Sequence, residues 1–289
     1  MRKTPSFAVI GGSGLYNMNG LENLQEFTLD TPFGAPSAPI MVGTLEGQQV
    51  AFLARHGIGH HINPGEINYR ANIYALKSLG VKRVVSVSAC GSLREDYAPG
   101  DIVIPDQLFD FTKGRESTFF TDGIVAHVDV ADPFCPDMSQ QVYNAVAETG
   151  ATVHQGGDFI TIEGPRFSTK AESNTFRSWG MSIIGMTTSP EAFLAREAEL
   201  CYTVIAHVTD YDVWHINEEP VTVEMVIKTL THNTKVAQDA ICNLARGLNP
   251  MCDCKCSQSL STAMITDPDV IPDETSERLN LLVDKYLSI

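Results

Sequence analysis

The sequence lacks long apolar runs and has few positive charges. No stretch of about 18 apolar residues suggests a transmembrane helix, and the four apolar residues before Gly11 are too few for a secretion signal. Asp and Glu number 35 against 20 Lys and Arg, which gives a formal net charge of −15. Such a charge repels nucleic acid and anionic membranes, so we expect neither as a partner. These features together predict a cytoplasmic protein.

The sequence also lacks a complete zinc-finger pattern. Three of the seven cysteines, Cys252, Cys254 and Cys256, stand in "CDCKC", with no second CxxC or His pair to complete a site. This cluster could form a local disulfide, pair with an upstream cysteine or bind a soft metal, and the missing pair disfavours the metal. The other four cysteines are expected to be small buried hydrophobic residues, because a cytosol keeps thiols reduced. These are Cys90, Cys135, Cys201 and Cys242.

Apolar strand-like runs alternate with amphipathic helical segments along the chain. The predicted strands begin at Phe7, Val50, Arg83, Asp158 and Cys201, and the predicted helices cover 64–80, 139–148, 169–180, the residues from 189 onward, and 222–246. Strands separated by helices predict an α/β fold, a single domain with a mixed, mostly parallel central sheet flanked by helices on both faces.

The C-terminal residues differ in character from the rest of the chain. We divide the sequence into a main domain, residues 1–249, and a tail, residues 250–289, which contains the cysteine cluster, a Ser/Thr-rich segment and a last helix. One face of that helix is apolar, so it needs a surface to pack on, and a neighbouring subunit is one candidate. The residues of this face are Leu279, Leu282, Val283 and Tyr286.

The glycine-rich loop "GGSG" after the first strand invites comparison with dinucleotide-binding loops. The fit is poor, because Asn17 stands where the fingerprint needs glycine, and "LENLQEF" gives no clear second strand with a ribose-binding acid. The loop still suits an anion, since glycines on both sides of Ser13 leave the backbone amides accessible and the hydroxyl adds a donor. A purely structural turn is the alternative.

Polar or small residues follow several other predicted strands. Arg55 and His56 end one strand, and a guanidinium can bind phosphate through two hydrogen bonds. Small residues around Ser88 end a second strand, and Thr187 follows a third. Because strand ends are where α/β sheets bind ligands, these positions together predict an anion site.

The apolar strand from Cys201 ends in "HVTDYDVW", with Asp210 and Asp212 two residues apart. Alternation along a strand would place both carboxyl groups on one side and Tyr211 on the other. Burial beside a second carboxylate raises the pKa of one member of such a pair, so one can be a proton donor near neutral pH.

Eight segments in order resemble the 5′-methylthioadenosine phosphorylases, a branch of the trimeric purine nucleoside phosphorylase family. They are "VIGGSGLY", "LARHGIGH", "NYRANIYALK", "ACGSLREDYAPGDIVIPDQLFDFT", "ADPFCP", "TIEGPRFSTKAES", "GMTTSPEAFLAREAELCY" and "TDYDVW". The resemblance covers residues 7–247 with nearly unchanged spacing and leaves the tail outside. It implies the purine nucleoside phosphorylase fold and a homotrimer or a dimer of trimers.

The resemblance also implies a role for individual residues. A phosphate site would consist of Ser13, Arg55, His56, Ser88, Ala89 and Thr187. Met186 would lie against the ribose, Phe167 and Ser168 would line the base pocket, and His127 would come from the neighbouring subunit. Animal relatives usually have Thr in place of Ser13 and Ser88, but serine keeps the hydroxyl.

Cleavage of a purine N-glycosidic bond leaves negative charge on the base and positive charge on the sugar. We expect protonated Asp210 to give a proton to purine N7 and ionised Asp212 to accept from the 6-amino group, which selects adenine. Val223 and Val226 lie one helical turn apart, and the resemblance places this helix near the sugar 5′ position. Two valines there suit a methylthio group.

The expected reaction is phosphorolysis of 5′-methylthioadenosine to adenine and 5-methylthio-α-D-ribose 1-phosphate, with no metal and no organic cofactor. A broader phosphorylase acting on adenosine, inosine or methylthioinosine is the first alternative. A nucleosidase that uses water and a non-catalytic nucleotide-binding protein are further alternatives.

Overall fold

An eleven-stranded sheet forms the centre of the described chain. The structure, a computed structural model, describes residues 4–12, 14–15, 17–215, 223–249 and 254–287, with the side chains of the helix at 223–247 described from Asn233 onward. The strands are β1 (Phe7–Gly11), β2 (Glu22–Phe27), β3 (Ile40–Leu45), β4 (Gln48–Ala54), β5 (Arg83–Ser92), β6 (Ile102–Ile104), β7 (Gln107–Phe111), β8 (Val153–Gln155), β9 (Asp158–Ile162), β10 (Ile183–Gly185) and β11 (Cys201–Asp210). The helices are α1 (Tyr69–Ser78), α2 (Pro136–Ala147), α3 (Lys170–Ser178), α4 (Thr188–Glu197), α5 (Val223–Gly247) and α6 (Asp273–Val283).

Strand β5 is the hub of the sheet. The main path runs β2-β3-β4-β1-β5-β10-β9-β7, and β5 also pairs with β11, which continues through β6 to β8. Six of the ten strand pairs are parallel, so the predicted mixed, mostly parallel sheet is confirmed. Because β1, β4 and β11 all run parallel to β5, their carboxyl ends lie at the same edge as the end of β5.

Helices cover both faces of this sheet, as predicted. Side chains alternate along β11, so that Tyr202 and Val204 join one core cluster, whereas Cys201 and Ile205 join the other. Helices α1, α4 and α6 contribute to the first cluster, and α2 and α5 contribute to the second. All ten residues of β11 are buried, which is why it reads as an apolar run in the sequence.

Local sequence signals place several elements well. Thr169 caps α3 in a capping box with Glu172, as the Thr-x-x-Glu pattern predicts. The predicted helix from residue 64 begins only at Tyr69, and α2 begins at Pro136 rather than at 139, with proline in its first turn. No clear strand is predicted in "LENLQEF", and this expectation was wrong. Glu22–Phe27 is an exposed strand that pairs antiparallel with β3.

The last helix packs on the core of its own chain. Leu279, Leu282 and Val283 are buried in the first core cluster, and Tyr286 packs against it, so the predicted apolar face is confirmed. A neighbouring subunit is therefore not needed to cover this face, which corrects that expectation. The division of the chain at residue 250 stays a prediction. Among the described helices, none combines the length and apolar character needed to cross a membrane.

Candidate active site

The carboxyl end of β5 brings the predicted residues together. The backbone of Arg55, just after β4, donates to Gly11 O at the end of β1, and Asp210 at the end of β11 lies opposite Gly91 of β5. Ser88 of β5 lies beside Thr187, with 3.4 Å between their hydroxyl oxygens. Five separate segments of the chain therefore meet at one edge of the sheet.

The two acids of "TDYD" are neighbours, but strand alternation does not explain why. Strand β11 ends at Asp210, and Asp212 lies in a turn with a left-handed φ of 53°. That turn directs the Asp212 N–H to Asp210 Oδ1 at 2.7 Å. Both acids approach Gly91, where a Cβ would lie 3.0 Å from Asp210 Oδ1 and 3.2 Å from Asp212 Cβ. Any larger residue at position 91 would displace the pair.

Burial raises the pKa of both acids above its ordinary value. Asp210 and Asp212 are 9% and 7% exposed, and loss of hydration disfavours the charged form of each. The bonds that Asp210 accepts from Thr209 and from the Asp212 N–H oppose this increase. For Asp212 the nearby hydroxyls of Ser173 and Ser168 oppose it, although neither has the geometry of a hydrogen bond to the carboxylate, whereas the charge of Asp210 adds to it.

The Thr209 hydroxyl can act as a hydrogen-bond acceptor for a protonated Asp210. Its hydroxyl oxygen lies 2.6 Å from Asp210 Oδ2 and 3.2 Å from the Cys90 carbonyl oxygen. The hydroxyl has one hydrogen, and a carbonyl oxygen only accepts. When Thr209 donates to Cys90, its oxygen can accept from Asp210, so the arrangement suits a protonated carboxyl group.

Three polar atoms beside this pair are buried and make no hydrogen bond within the described chain. They are Asp212 Oδ2 and the hydroxyl oxygens of Ser168 and Ser173. Buried polar atoms are ordinarily paired, because an unpaired one costs about 1–3 kcal/mol. A cluster of three such atoms beside a pair of acids is what a polar ligand would complete.

The predicted anion side contains hydroxyl groups with spare hydrogen-bonding capacity. The 3.4 Å between Ser88 Oγ and Thr187 Oγ1 exceeds the usual 2.5–3.0 Å of a hydroxyl pair, so neither group is committed to the other. Ser88 and Thr187 are both buried. Ala89, which follows Ser88 in β5, is half-buried.

Arg55 is committed mainly to the protein itself. Its side chain is almost fully buried, with Nε and Nη2 donating to the two carboxylate oxygens of Glu191 at 2.7 and 2.9 Å. Further bonds go to Ser86 Oγ, Val87 O and Ile10 O. The paired donors that the sequence suggested for phosphate thus face Glu191, and one Nη1–H remains for an anion.

His56 is neutral at physiological pH. Burial and the charge of Arg55 lower its pKa to about 4. Its Nδ1 lies 2.9 Å from Ile62 O, and since a carbonyl only accepts, Nδ1 has the hydrogen and Nε2 is an acceptor. The ring stacks on His60 at a centroid distance of 4.3 Å.

With this geometry established, similarity to known proteins identifies the family. The family model described as "Phosphorylase superfamily" matches residues 6–246, which is most of the chain. The chain belongs to the phosphorylase superfamily. An S-methyl-5′-thioadenosine phosphorylase of Geobacter sulfurreducens is 52% identical over 280 residues, which are 96% of this chain and 98% of that protein.

Solved structures of this superfamily share the whole fold. A methylthioadenosine phosphorylase from an antarctic soil metagenomic library superposes with a TM-score of 0.92 and 45% identity, covering 97% of this chain and 99% of that one. A mutant adenosine/methylthioadenosine phosphorylase of Schistosoma mansoni, solved with methylthioadenosine, gives a TM-score of 0.83 and 35% identity over 90% of this chain and 96% of that one.

Other predicted site residues of this superfamily member have distinct surroundings. Met186 is half-buried and packs near Gly164, Ser168 is buried, and Phe167 is 40% exposed. His127 is exposed, and its backbone N–H donates to Ala263 O. Ser13 and the side chains of Val223 and Val226 lie outside the described residues, so their roles stay predictions.

Sequence reasoning missed several residues that build this phosphorylase-superfamily site. Arg115 has a buried guanidinium that donates to Tyr69, Glu163 and the carbonyls of Met186 and Ser189, and so fixes the backbone on both sides of Thr187. Glu191 of α4 binds the Arg55 guanidinium through both carboxylate oxygens, a contact between residues 136 positions apart that no local pattern predicts. Ser173 follows the "RFST" segment by one helical turn and had no local signal of its own.

Proposed function

We propose that this chain catalyses the phosphorolysis of 5′-methylthioadenosine to adenine and 5-methylthio-α-D-ribose 1-phosphate. The relatives named above support this substrate, because they are named for methylthioadenosine and one was solved with it bound. The physical support comes from this chain's own acids, described next.

The observation that supports adenine best is the unpartnered oxygen of Asp212. An ionised Asp212 would accept from the 6-amino group through Oδ2, whereas a 6-oxo group would place lone pairs against lone pairs. Asp210, with its pKa raised by burial, would hold a proton and donate it to N7 as the glycosidic bond breaks. The neutral base then leaves without accumulating negative charge.

Phosphate is the proposed nucleophile. Ser88 and Thr187 would donate hydroxyl hydrogens to it, and Arg55 would add its remaining Nη1–H and its buried positive charge. Neutral His56 would accept a hydrogen bond at Nε2 from the P–OH group of monohydrogen phosphate. This bond would orient the anion. Phosphate oxygen then attacks the anomeric carbon as the base leaves, and the sugar phosphate forms.

We assign no metal and no organic cofactor to this reaction, since acid, base selector and anion donors are all side chains of the chain. We propose a homotrimer or a dimer of trimers because the sequence resembles the trimeric purine nucleoside phosphorylases, and the exposed position of His127 is compatible with a contact to a neighbouring subunit. The cytoplasm remains the proposed compartment.

Adenosine is the second candidate substrate. The Schistosoma mansoni relative is named for adenosine and methylthioadenosine together, and both nucleosides present the same adenine base to the acid pair of this chain. The two nucleosides differ only at the 5′ position, where Val223 and Val226 are predicted to lie.

Adenine release from methylthioadenosine, adenosine and inosine, each with and without phosphate, tests the proposal. We expect rapid release from methylthioadenosine in phosphate, slower release from adenosine, and little from inosine. The sugar product should contain phosphate. Release that continues in phosphate-free buffer would instead identify a hydrolase.

A further inference from the structure

Four cysteine side chains from three distant parts of the sequence lie close together in the structure. Cys135 immediately precedes α2, Cys201 is the first residue of β11, and Cys254 and Cys256 lie in the segment after α5. Their Sγ atoms all lie within 4.8 Å of one another. The structure thus supplies the second pair of thiols that the "CDCKC" segment lacked in the sequence.

The size of this cluster suits a tetrahedral metal ion. A Zn–S bond is about 2.3 Å long, so the sulfurs of a regular tetrahedron lie about 3.8 Å apart. The observed separations include 3.2 Å, between Cys201 and Cys254, and extend to at most 4.8 Å, which brackets that value. Small side-chain rotations would bring the four atoms to bonding distance of one central ion.

The surroundings suit a closed structural site. Cys135, Cys201 and Cys256 are buried and Cys254 is half-buried, so a bound ion would be shielded from water. Cys135 is the N-cap residue of α2, and the N-terminus of a helix favours an anionic group beside it, such as a metal-bound thiolate. Four thiolates and no carboxylate or imidazole form a soft donor set, which zinc prefers over magnesium or calcium.

We propose that Cys135, Cys201, Cys254 and Cys256 bind one structural zinc ion. The ion would join the start of α2, the start of β11 and the segment after α5. That segment continues to Ala263 and Ile265, which hydrogen-bond the backbone of His127 and Val125. Zinc would therefore anchor the C-terminal segment and the exposed loop beside it, separately from the acid pair.

The test measures metal in the full-length protein, purified with a reducing agent and without chelators. We expect about one zinc per chain, released when a mercurial thiol reagent is added and detected with a chromogenic chelator. Cobalt added during refolding should produce the thiolate charge-transfer and d–d absorption of a tetrahedral site. The protein from which zinc has been removed should unfold at a lower temperature than the zinc-bound protein.

Matched variants complete the experiment. Cys254→Ser and Cys256→Ser should lose most of the metal, whereas Cys242→Ser, a half-buried cysteine of α5 outside the cluster, should retain it. Cobalt binding by the wild-type chain keeps the test valid if a variant folds poorly. Metal-free wild type overturns the proposal, as does a native mass lower by four hydrogens, which would show two disulfides instead.

Discussion

Asp210 and Asp212 differ in what their oxygen atoms contact. Both oxygens of Asp210 are engaged, one by Thr209 and one by the Asp212 N–H, whereas Asp212 Oδ2 has no partner in the described chain. Thr209 can accept a hydrogen bond from a protonated Asp210, and the unpartnered oxygen of Asp212 can accept one from a ligand. The proposed roles of the two acids rest on this difference in surroundings, since the residue type is the same.

Asp210→Asn removes the proposed proton donor and keeps the shape of the side chain. We expect kcat for methylthioadenosine to fall by about 10² to 10⁴-fold, the usual contribution of a general acid. Preference should shift toward 6-oxo nucleosides, because N7 and O6 are neighbours on one edge of the purine and an amide NH2 group at position 210 can donate to both, which offsets the repulsion of O6 by Asp212. Steady-state kinetics with methylthioadenosine and methylthioinosine checks this, with the exposed Asp239→Asn as control. Equal loss with both substrates would contradict the base-selection argument.

His207 is a buried histidine that the proposed mechanism does not use. It is 1% exposed, and neither ring nitrogen has a hydrogen-bond partner in the described part of the chain. Burial lowers its pKa to about 4, against about 6.5 in an unfolded chain. Between these values the unfolded state binds the proton more readily, so stability falls as pH drops below about 6.5 and levels off below about 4.

His207→Leu should flatten the acid limb of the stability curve. Between pH 7.5 and pH 5 the wild type should lose about 2 kcal/mol more unfolding free energy than the variant. Urea titrations of both proteins at the two pH values measure this difference, and groups common to both proteins cancel. Parallel losses in the two proteins would show that His207 is not responsible.

At the scale of elements, a buried ion pair connects three parts of the sheet. Glu191 of α4 is fully buried and accepts from Arg55, after β4, and from the Tyr202 hydroxyl of β11 at 2.8 Å. Arg55 in turn donates to Ile10 O near the end of β1 and to Val87 O in the middle of β5. The pair thus fixes how β1, β4, β5 and β11 approach one another beside the proposed phosphate site.

Glu191→Gln should destabilise the protein by about 3–5 kcal/mol, because it leaves the Arg55 charge buried without its counter-ion. The exposed pair of Glu46 with Arg246 offers a matched control, and Glu46→Gln should cost less than about 1 kcal/mol. Thermal and urea unfolding of the two variants gives the comparison. Similar losses for both would mean that the buried pair contributes no more than a surface pair.

At the scale of the whole molecule, the C-terminal helix completes the core. Leu282 on α6 is 3% exposed and belongs to the same cluster as residues of β1, β4 and β11, whereas its neighbour Leu281 is 36% exposed. Helix α6 therefore packs on the same core cluster as three strands of the central sheet.

Leu282→Ala should cost about 2–5 kcal/mol of unfolding free energy, as buried leucine truncations do. Leu281→Ala, one position away on the same helix, should change it by about 0.5 kcal/mol or less. Urea unfolding of both variants at one protein concentration checks the contrast. A small loss for Leu282→Ala would show that α6 contributes little to the fold.

Structural features that depend on residues close together in the sequence could be predicted from the sequence. The buried strands, the capping box at Thr169 and the apolar face of α6 follow from local periodicity and composition. The exposed strand β2 was missed because edge strands need no apolar alternation, and the turn at Asp212 was missed because a left-handed aspartate has no fixed sequence signal.

The order of amino acids specifies which chemical groups stand at or near the strand ends: two acids at the end of β11, and hydroxyls, an arginine and a histidine at the others. Which of these groups meet depends on the fold. Arg55 and Glu191 are 136 residues apart, and Cys201 and Cys254 are 53 apart. Such contacts depend on how the strands order themselves around β5, and strand order is set by packing across the whole sheet.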